Sequence, residues 1–327
     1  MRTQRHATGV TAVLAALTLL ATGCGSDGGG GDGDSVSFGY IPDFNGASLL
    51  AIAEDQGLWE EEGLSADYET FTTGPIQVQA LGSGDLDFGY IGPGAMWLPA
   101  SGRADIVALN TLTYADRVIA QPGIGSIQEL RGKRVGVVDG TSGEMVLNLA
   151  LQEAGMSKDD IEAVSMDAAT IVSAFVSGEI DAAGLWYPAI DQIKAQVPDL
   201  TELASTEDVE DAAFPTAFVS ADGADRELTE RVVRVLQRAN DYRAGHEDEA
   251  IALSAAMLDR SEEEVRADAA HVETMTTEEL VAVTEDGTAA GWLEPLAEFF
   301  VAAGSLEESP DVSSYYAGDL YSEVFAQ

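Results

Sequence analysis

One order of elements is written twice in this chain, and it restricts the fold more than composition does. Ser83-Gly84-Asp85-Leu86-Asp87 leads into the apolar run Phe88-Gly89-Tyr90-Ile91 and then Pro93. Ser177-Gly178-Glu179-Ile180-Asp181 leads into Ala182-Ala183-Gly184-Leu185 and then Pro188. Each reads as a helix ending at glycine, an acidic turn, a buried strand and a proline loop that opens another helix. The upstream units correspond too. Val36–Ile41 and Arg134–Val138 read as strands followed by polar, glycine-containing loops. Ala47–Asp55 and Glu144–Ala154 carry apolar residues at helical spacing. Second strands at Ala66–Phe71 and Ile161–Met166 precede second helices near Pro75–Leu81 and Ala168–Val176. Strands alternating with helices predict an α/β fold of two lobes, each a mainly parallel sheet flanked by helices.

Between and after the two units lie Tyr114–Gln121 and Thr216–Ala221, short strand-like segments that serve as hinge strands between the lobes. The expected division is lobe 1 over 36–113, lobe 2 over 114–218, and a return to lobe 1 over 219–327 with a helical tail. In that tail Leu228–Tyr242, Glu247–Leu258, Glu262–His271, Glu278–Val283 and Trp292–Ala303 read as helices. Val232, Val235 and Leu236 share one face, which is expected to pack on lobe 1.

The beginning of the chain addresses compartment. Arg2 and Arg5 precede an apolar run from Val10 to Leu20. Roughly a dozen apolar residues are too few to span a bilayer and suit the central region of a secretory signal. The run ends in Leu20-Ala21-Thr22-Gly23-Cys24, and Cys24 is the one cysteine. A small residue before a lone cysteine at this place resembles a bacterial lipobox, so 1–23 is expected to be removed and Cys24 lipidated. The alternative is an ordinary cleaved signal with an incidental thiol. Residues 24–35 hold Ser26–Asp34, built only of Ser, Asp and Gly, and form the anchor and flexible linker. Without Arg2 and Arg5 the chain keeps 14 basic against 57 acidic residues, a net charge near −43. Phosphate backbones need clustered Lys and Arg, so nucleic acid is excluded as a partner. The acidity describes a solvated surface.

The segments Phe71–Leu81 (FTTGPIQVQAL), Ser83–Pro93, Leu130–Val138 (LRGKRVGVV), Gly140–Gly143 and Ser177–Pro188 (SGEIDAAGLWYP) together resemble the nitrate, sulfonate and taurine class of periplasmic-type binding proteins of ABC importers. The resemblance runs from about Val36 to Phe325. It implies the periplasmic-binding-protein fold, a small ligand enclosed between the lobes, and no chemistry performed on that ligand. It also implies a permease with its ATPase as partner and a lipid anchor on the outer face of the cytoplasmic membrane. The expected assembly is a monomer, with no cofactor and no metal. Members of the class take sulfonates, nitrate, taurine or pyrimidine precursors, so the ligand stays open between a small oxyanion and a neutral heterocycle.

In open parallel sheets ligands sit beyond the carboxyl ends of the strands. That places candidate contacts at Asp43, Phe44, Asn45 and Gly46, at Thr73 and Gly74, at Gly92, Pro93 and Gly94, and at Thr141, Ser142 and Gly143. Several of these loops open helices, whose free N–H groups can hold an oxyanion without Lys or Arg. The glycines would let the ligand approach the backbone. Each loop has a plainer reading. Thr141-x-x-Glu144 matches a capping box, Thr73-Gly74-Pro75 an N-cap with proline in the first turn, and Asp43 and Asn45 turn residues. Trp186, Phe44 and Phe214 are candidate walls, whereas Tyr187 reads as core or hinge packing. Asp43 could receive a ligand amine. Asp116 and Arg117 read as a structural pair at the hinge. Trp292, Tyr315, Tyr316, Tyr321 and Phe325 read as helix–lobe packing.

Catalysis finds little in the pattern, which leaves an extracytoplasmic enzyme on the same fold as the lesser alternative. His246 and His271 sit in charged helical stretches away from the candidate loops, and no His or Cys spacing suits a metal. The anchor is directly testable. Cys24→Ala is expected to abolish incorporation of a clickable fatty acid and to shed or misprocess the protein. Equal labelling of both forms would overturn the lipobox reading.

Overall fold

The computed structural model describes residues 34–209 and 212–327. The leader 1–23, Cys24 and the linker up to residue 33 lie outside the described residues. Those residues hold eleven strands in two sheets. β1 (Asp34–Tyr40), β2 (Leu64–Thr70), β3 (Phe88–Ile91) and β4 (Asp105–Thr113) belong to the first sheet. β5 (Asp116–Ala120), β6 (Arg134–Val137), β7 (Glu162–Ser165), β8 (Ala182–Trp186) and β9 (Thr201–Ser205) form the second. β10 (Pro215–Ser220) and β11 (Val272–Thr274) return to the first.

The repeat is visible in the strand order. The first sheet reads β2-β1-β3-β10-β4 with β11 beyond it, and the second reads β7-β6-β8-β5-β9. β1 pairs in parallel with β2 and β3, as β6 does with β7 and β8. In each sheet the fourth place is taken by an antiparallel strand that has just crossed from the other lobe: β10 in the first, β5 in the second. The matching helix ends also coincide. Gly84 (φ 77°) and Gly178 (φ 76°) close their helices in the left-handed region, where a side chain is strained.

Two boundaries differ from those expected, the return to the first lobe and the start of β1. The change of lobe occurs at Tyr114–Ala115, between β4 and β5, and again between the end of β9 at Ser205 and the start of β10 at Pro215. All of β10 is therefore in the first sheet, with Ala217 opposite both Ile91 and Leu109, so the return precedes residue 219. Asp34 and Ser35, expected in the linker, extend β1 because they find partners in Leu64 and Ser65. Arg231 adds an ion pair to Asp34 at 2.6 Å.

The helices flank the sheets. α1 (Phe44–Asp55), α2 (Leu58–Glu61), α3 (Gly74–Ser83) and α4 (Trp97–Ala100) serve the first sheet, and α5 (Ser142–Glu153), α6 (Ala168–Ser177) and α7 (Ala189–Lys194) the second. The tail contributes α8 (Arg226–Gly245), α9 (Glu247–Leu258), α10 (Glu262–Ala269), α11 (Thr277–Glu285), α12 (Thr288–Ala302) and α13 (Gly318–Phe325). α8 buries Val232, Val233, Val235 and Leu236 in the core of the first lobe, each contributing about 1.5–3 kcal/mol. Its buried Arg243 donates to Ser48 Oγ (2.9 Å), Asn110 O (3.2 Å) and Asn240 Oδ1 (2.7 Å), which ties α8 to α1 and β4. Tyr315, Tyr316 and Tyr321 are buried in the same core, while Phe325 is exposed. No helix among the described residues is long and apolar enough to cross a membrane.

α5 lies backbone to backbone on β8. A Cβ at Gly143 would stand 2.5 Å from the carbonyl oxygen of Gly184, and one at Gly184 would overlap the carbonyl of Gly143. Overpacking of this kind costs about 1–3 kcal/mol or more. Gly143→Ala and Gly184→Ala are each expected to lower the urea midpoint markedly, while Gly291→Ala, inside α12 with no atom near its would-be Cβ, is expected to hold or raise it through helix propensity. Equal midpoints for all three would contradict the packing described.

Candidate functional site

The carboxyl ends of β1, β2, β3, β6 and β8 open onto one cavity between the lobes, with an empty volume of about 490 Å³ counting its mouth. Asp43, Asn45, Thr73, Gly74, Gly92 and Pro93 line it from the first lobe, and Thr141, Ser142 and Trp186 from the second. All of these are sequence candidates. Thr113, Ala115, Asp116 and Thr216 also reach it, from the two places where the chain changes lobe. Ile41, Pro75, Tyr90, Ala95 and Tyr187 complete the lining.

Five candidates are not part of the lining. Phe44 begins α1, and its ring packs against Ile251, Ala255 and Val265, because a helix turns about 100° per residue and only Asn45 faces the cavity. Phe214 precedes β10 and is buried in the core of the first lobe, where an aromatic ring is more favourable than at a wet cleft. Gly46, Gly94 and Gly143 admit protein, not ligand. A Cβ on Gly46 would strike the carbonyl of Ile41, and one on Gly94 would strike the backbone of Thr141 and Ser142. Gly94 is thus a contact of one lobe with the other. Gly92 has open space around its would-be Cβ.

The helix starts also behave differently from their sequence pattern. Asp43 caps α1, its Oδ1 accepting from Gly46 N at 2.7 Å. The capping box at Thr141 does not form. Thr141 donates to Val138 O (2.6 Å), and Glu144 accepts from Gly140 N (2.6 Å) and pairs with Lys158. Thr73 likewise makes no side-chain cap on α3. The first turns of α3 and α5 therefore meet the cavity without a side-chain cap, and their N–H groups carry the positive end of a helix dipole. Gly92–Gly94 opens only a single 3₁₀ turn and supplies little of that field.

Asp116 and Arg117 do not pair as expected. Adjacent strand residues point to opposite faces. Arg117 turns to Glu202 (3.0 Å) and Glu207 (3.4 Å), while Asp116 turns to the cavity. Asp116 is 1% exposed, and its Oδ1 has no partner. Burial pushes its carboxyl up to about 7, against a hydrogen bond from Ser142 and the charge of Arg117. Asp43 is raised well above the usual range by burial, then by Asp268 and Asp116. Asp268, one layer behind, accepts from Phe44 N at 2.8 Å and is raised to about 6, mainly by burial. Among the described residues that line the cavity there is no Lys, Arg or His.

A second layer holds the walls. Asn45 Oδ1 accepts from Thr111, whose hydroxyl also meets Thr216, at 2.7 and 2.8 Å. That leaves the Asn45 NH₂ as the free end of the amide. Tyr187 both lines the cavity and packs, stacking on His271 at 4.2 Å and donating to Glu202 at 2.8 Å. His271 therefore lies directly behind the wall, nearer a candidate loop than its sequence position suggested. No group of His, Cys, Asp and Glu that could hold a metal occurs among the described residues.

With this geometry in view, known proteins offer three comparisons. The NMT1/THI5-like family matches residues 46–250. A relative in Brucella abortus, named only as a binding protein, is 47% identical over 294 residues, 89% of this chain and 92% of its own. The taurine-binding periplasmic protein of Escherichia coli is 27% identical over 45% of this chain and 47% of its own. The crystal structure of the periplasmic aliphatic sulphonate binding protein of E. coli superposes with a TM-score of 0.66 at 19% identity, covering 88% of this chain and 99% of that one.

The buried carboxylates set a pH dependence. Asp116 binds its proton more tightly folded (about 7) than unfolded (3.8), so the folded state holds more protons between those values. Stability accordingly falls as pH rises from about 4 to about 7, by on the order of 4 kcal/mol for this group at full ionisation. Asp43 and Asp268 act in the same direction. Thermal melts of the ligand-free protein should show Asp116→Asn gaining over wild type as pH rises from 4.5 to 8. A constant difference would contradict a raised Asp116.

Proposed function

The chain belongs to the NMT1/THI5-like family, and we propose that it is the extracytoplasmic solute-binding component of an ABC importer, capturing a small organic oxyanion between its lobes. One observation carries this reading: the starts of α3 and α5 face one enclosed cavity without side-chain caps. Hydrogen bonds to a charged acceptor contribute about 1.5–3 kcal/mol each, so a few such N–H groups support micromolar capture after the cost of association. A sulfonate is the form we favour over nitrate, because its organic part can meet the apolar lining at Ile41, Pro75 and Trp186. The names of the taurine- and sulphonate-binding proteins point the same way.

The sequence supports the cellular setting. Lipidation at Cys24 would hold the protein on the outer face of the cytoplasmic membrane, and the partners would be the importer's permease and ATPase. The working unit is a monomer that closes on its ligand, bending at Tyr114–Ala115 and where the chain returns from the second lobe to β10. The lobe contact at Gly94 belongs to the closed form. A second reading has an observation of its own. Trp186, Tyr187 and Tyr90 line the cavity, and rings on its walls suit stacking of a neutral heterocycle.

Native mass spectrometry of protein purified from its source is expected to reveal a retained small molecule. Calorimetry against alkanesulfonates, taurine, nitrate and a pyrimidine should give micromolar binding of an organic sulfonate, with a smaller radius of gyration in solution scattering on saturation. Binding of the pyrimidine with no response to any oxyanion would overturn the ligand class. An unchanged scattering profile at saturation would overturn closure.

A further inference from the structure

From the residues that the oxyanion seat leaves unused, we infer that Asp43 and Asp116 form a second subsite that receives a cationic nitrogen, so that the transported compound carries a protonated amine or amidine-type group. The inference rests on the reading of the cleft as the solute site, and it narrows the ligand within that reading.

Two carboxylates face the cavity from different lobes. Asp116 enters from β5 in the second lobe, Asp43 from the start of α1 in the first. Asp43 uses Oδ1 to cap its own helix. Asp116, which lines the same space, has a buried oxygen with no partner. An unpaired buried acceptor is costly, and a buried carboxylate more so. Ser142 and the charges of Arg117 and Arg260 relieve the pair only in part, since burial still raises both carboxyls. Arg117 is engaged by Glu202 and Glu207 on the opposite face of β5. Arg260, whose charge lowers Asp43, stands 3.8 Å from Asp268, a third carboxylate that raises it. The cavity therefore holds two acidic groups with no basic side chain in its lining, and burial favours their protonated forms until a cation enters.

A lone inorganic oxyanion or a plain alkanesulfonate would leave that acidic end of the cavity without a partner. A ligand with an oxyanion at one end and a cationic nitrogen at the other satisfies both ends at once. The α3 and α5 starts take the first, and the carboxylates take the second with charge-assisted hydrogen bonds. Because the pair is split between lobes, a nitrogen bridging it would also favour the closed state, as differential affinity requires. A divalent metal is a poorer occupant, since two carboxylates fall short of the six to eight oxygens calcium takes or the octahedral set of magnesium.

The test uses matched probes on the full mature protein: taurine against ethanesulfonate, 4-aminopyrimidine against pyrimidine, and calcium and magnesium chloride as separate arms. At least one aminated compound should bind tenfold or more tightly than its partner lacking the amine, and Asp116→Asn should remove that advantage. Asp43→Asn should weaken the same compound while keeping the helix cap, because asparagine caps as well as aspartate. In the ligand-free state Asp116→Asn should melt at a higher temperature at pH 8, whereas loss of a merely structural carboxylate would lower it. Equal binding of ethanesulfonate and taurine, or an Asp116→Asn protein that keeps the amine preference, overturns the cation subsite and leaves the solute-binding reading standing. No response to any aminated probe overturns the subsite too; the retained ligand then decides the broader reading. Stabilisation by the metals alone would replace it with a metal site.

Discussion

Each sheet is completed by a strand that the other lobe delivers. β10 is paired on both sides, with β3 and β4, and β5 is paired on both sides, with β8 and β9. Removing either would leave open ladders in the middle of a sheet, where unpaired backbone is costly. The two lobes therefore cannot separate, yet only two chain segments join them. This arrangement yields two α/β bodies linked by two crossings of the chain. It also puts residues from the crossings, Thr113, Ala115, Asp116 and Thr216, into the wall of the cavity between them.

The cavity is built from opposites. Helix starts without side-chain caps bring positive potential from two directions, and carboxylates at Asp43 and Asp116 bring negative charge from two others. Neighbours offset the carboxyls only in part, and burial raises both. Buried polar groups left short of partners are more stable when a ligand completes them. The second layer keeps the geometry stiff. Thr111 joins Asn45 to Thr216, and His271 backs Tyr187.

The net charge of −41 stands apart from this site. Most of the ion pairs lie on exposed surface, as between Arg226 and Glu323 or Arg266 and Asp248, and such pairs contribute about 0–1 kcal/mol each. At physiological salt the field of the surface is screened over about 8 Å, so the enclosed cavity is governed by its own lining.

The sequence by itself determined the α/β class, the repeat, the order of strand and helix in both lobes, and most of the loops at the strand ends. Those features depend on local matters: apolar spacing, glycine at helix ends, and proline and polar residues at helix starts. Nine of the fourteen candidate contacts line the cavity because a loop at the carboxyl end of a parallel strand has few other places to go. Tertiary structure decided what local pattern cannot carry. Asp116 and Arg117 read as a pair in one dimension, but a strand sends neighbours to opposite faces, and only the insertion of β5 makes one of those faces the cleft. Thr141 and Glu144 have the spacing of a capping box, but Lys158 and Gly140 claim the carboxylate first. Gly94 and Gly143 look like room for a ligand, but the room is filled by Ser142 and Gly184. Phe44 and Phe214 stand beside the site in sequence and turn away from it in space, because the cores behind them offer an aromatic ring more burial than the cleft does.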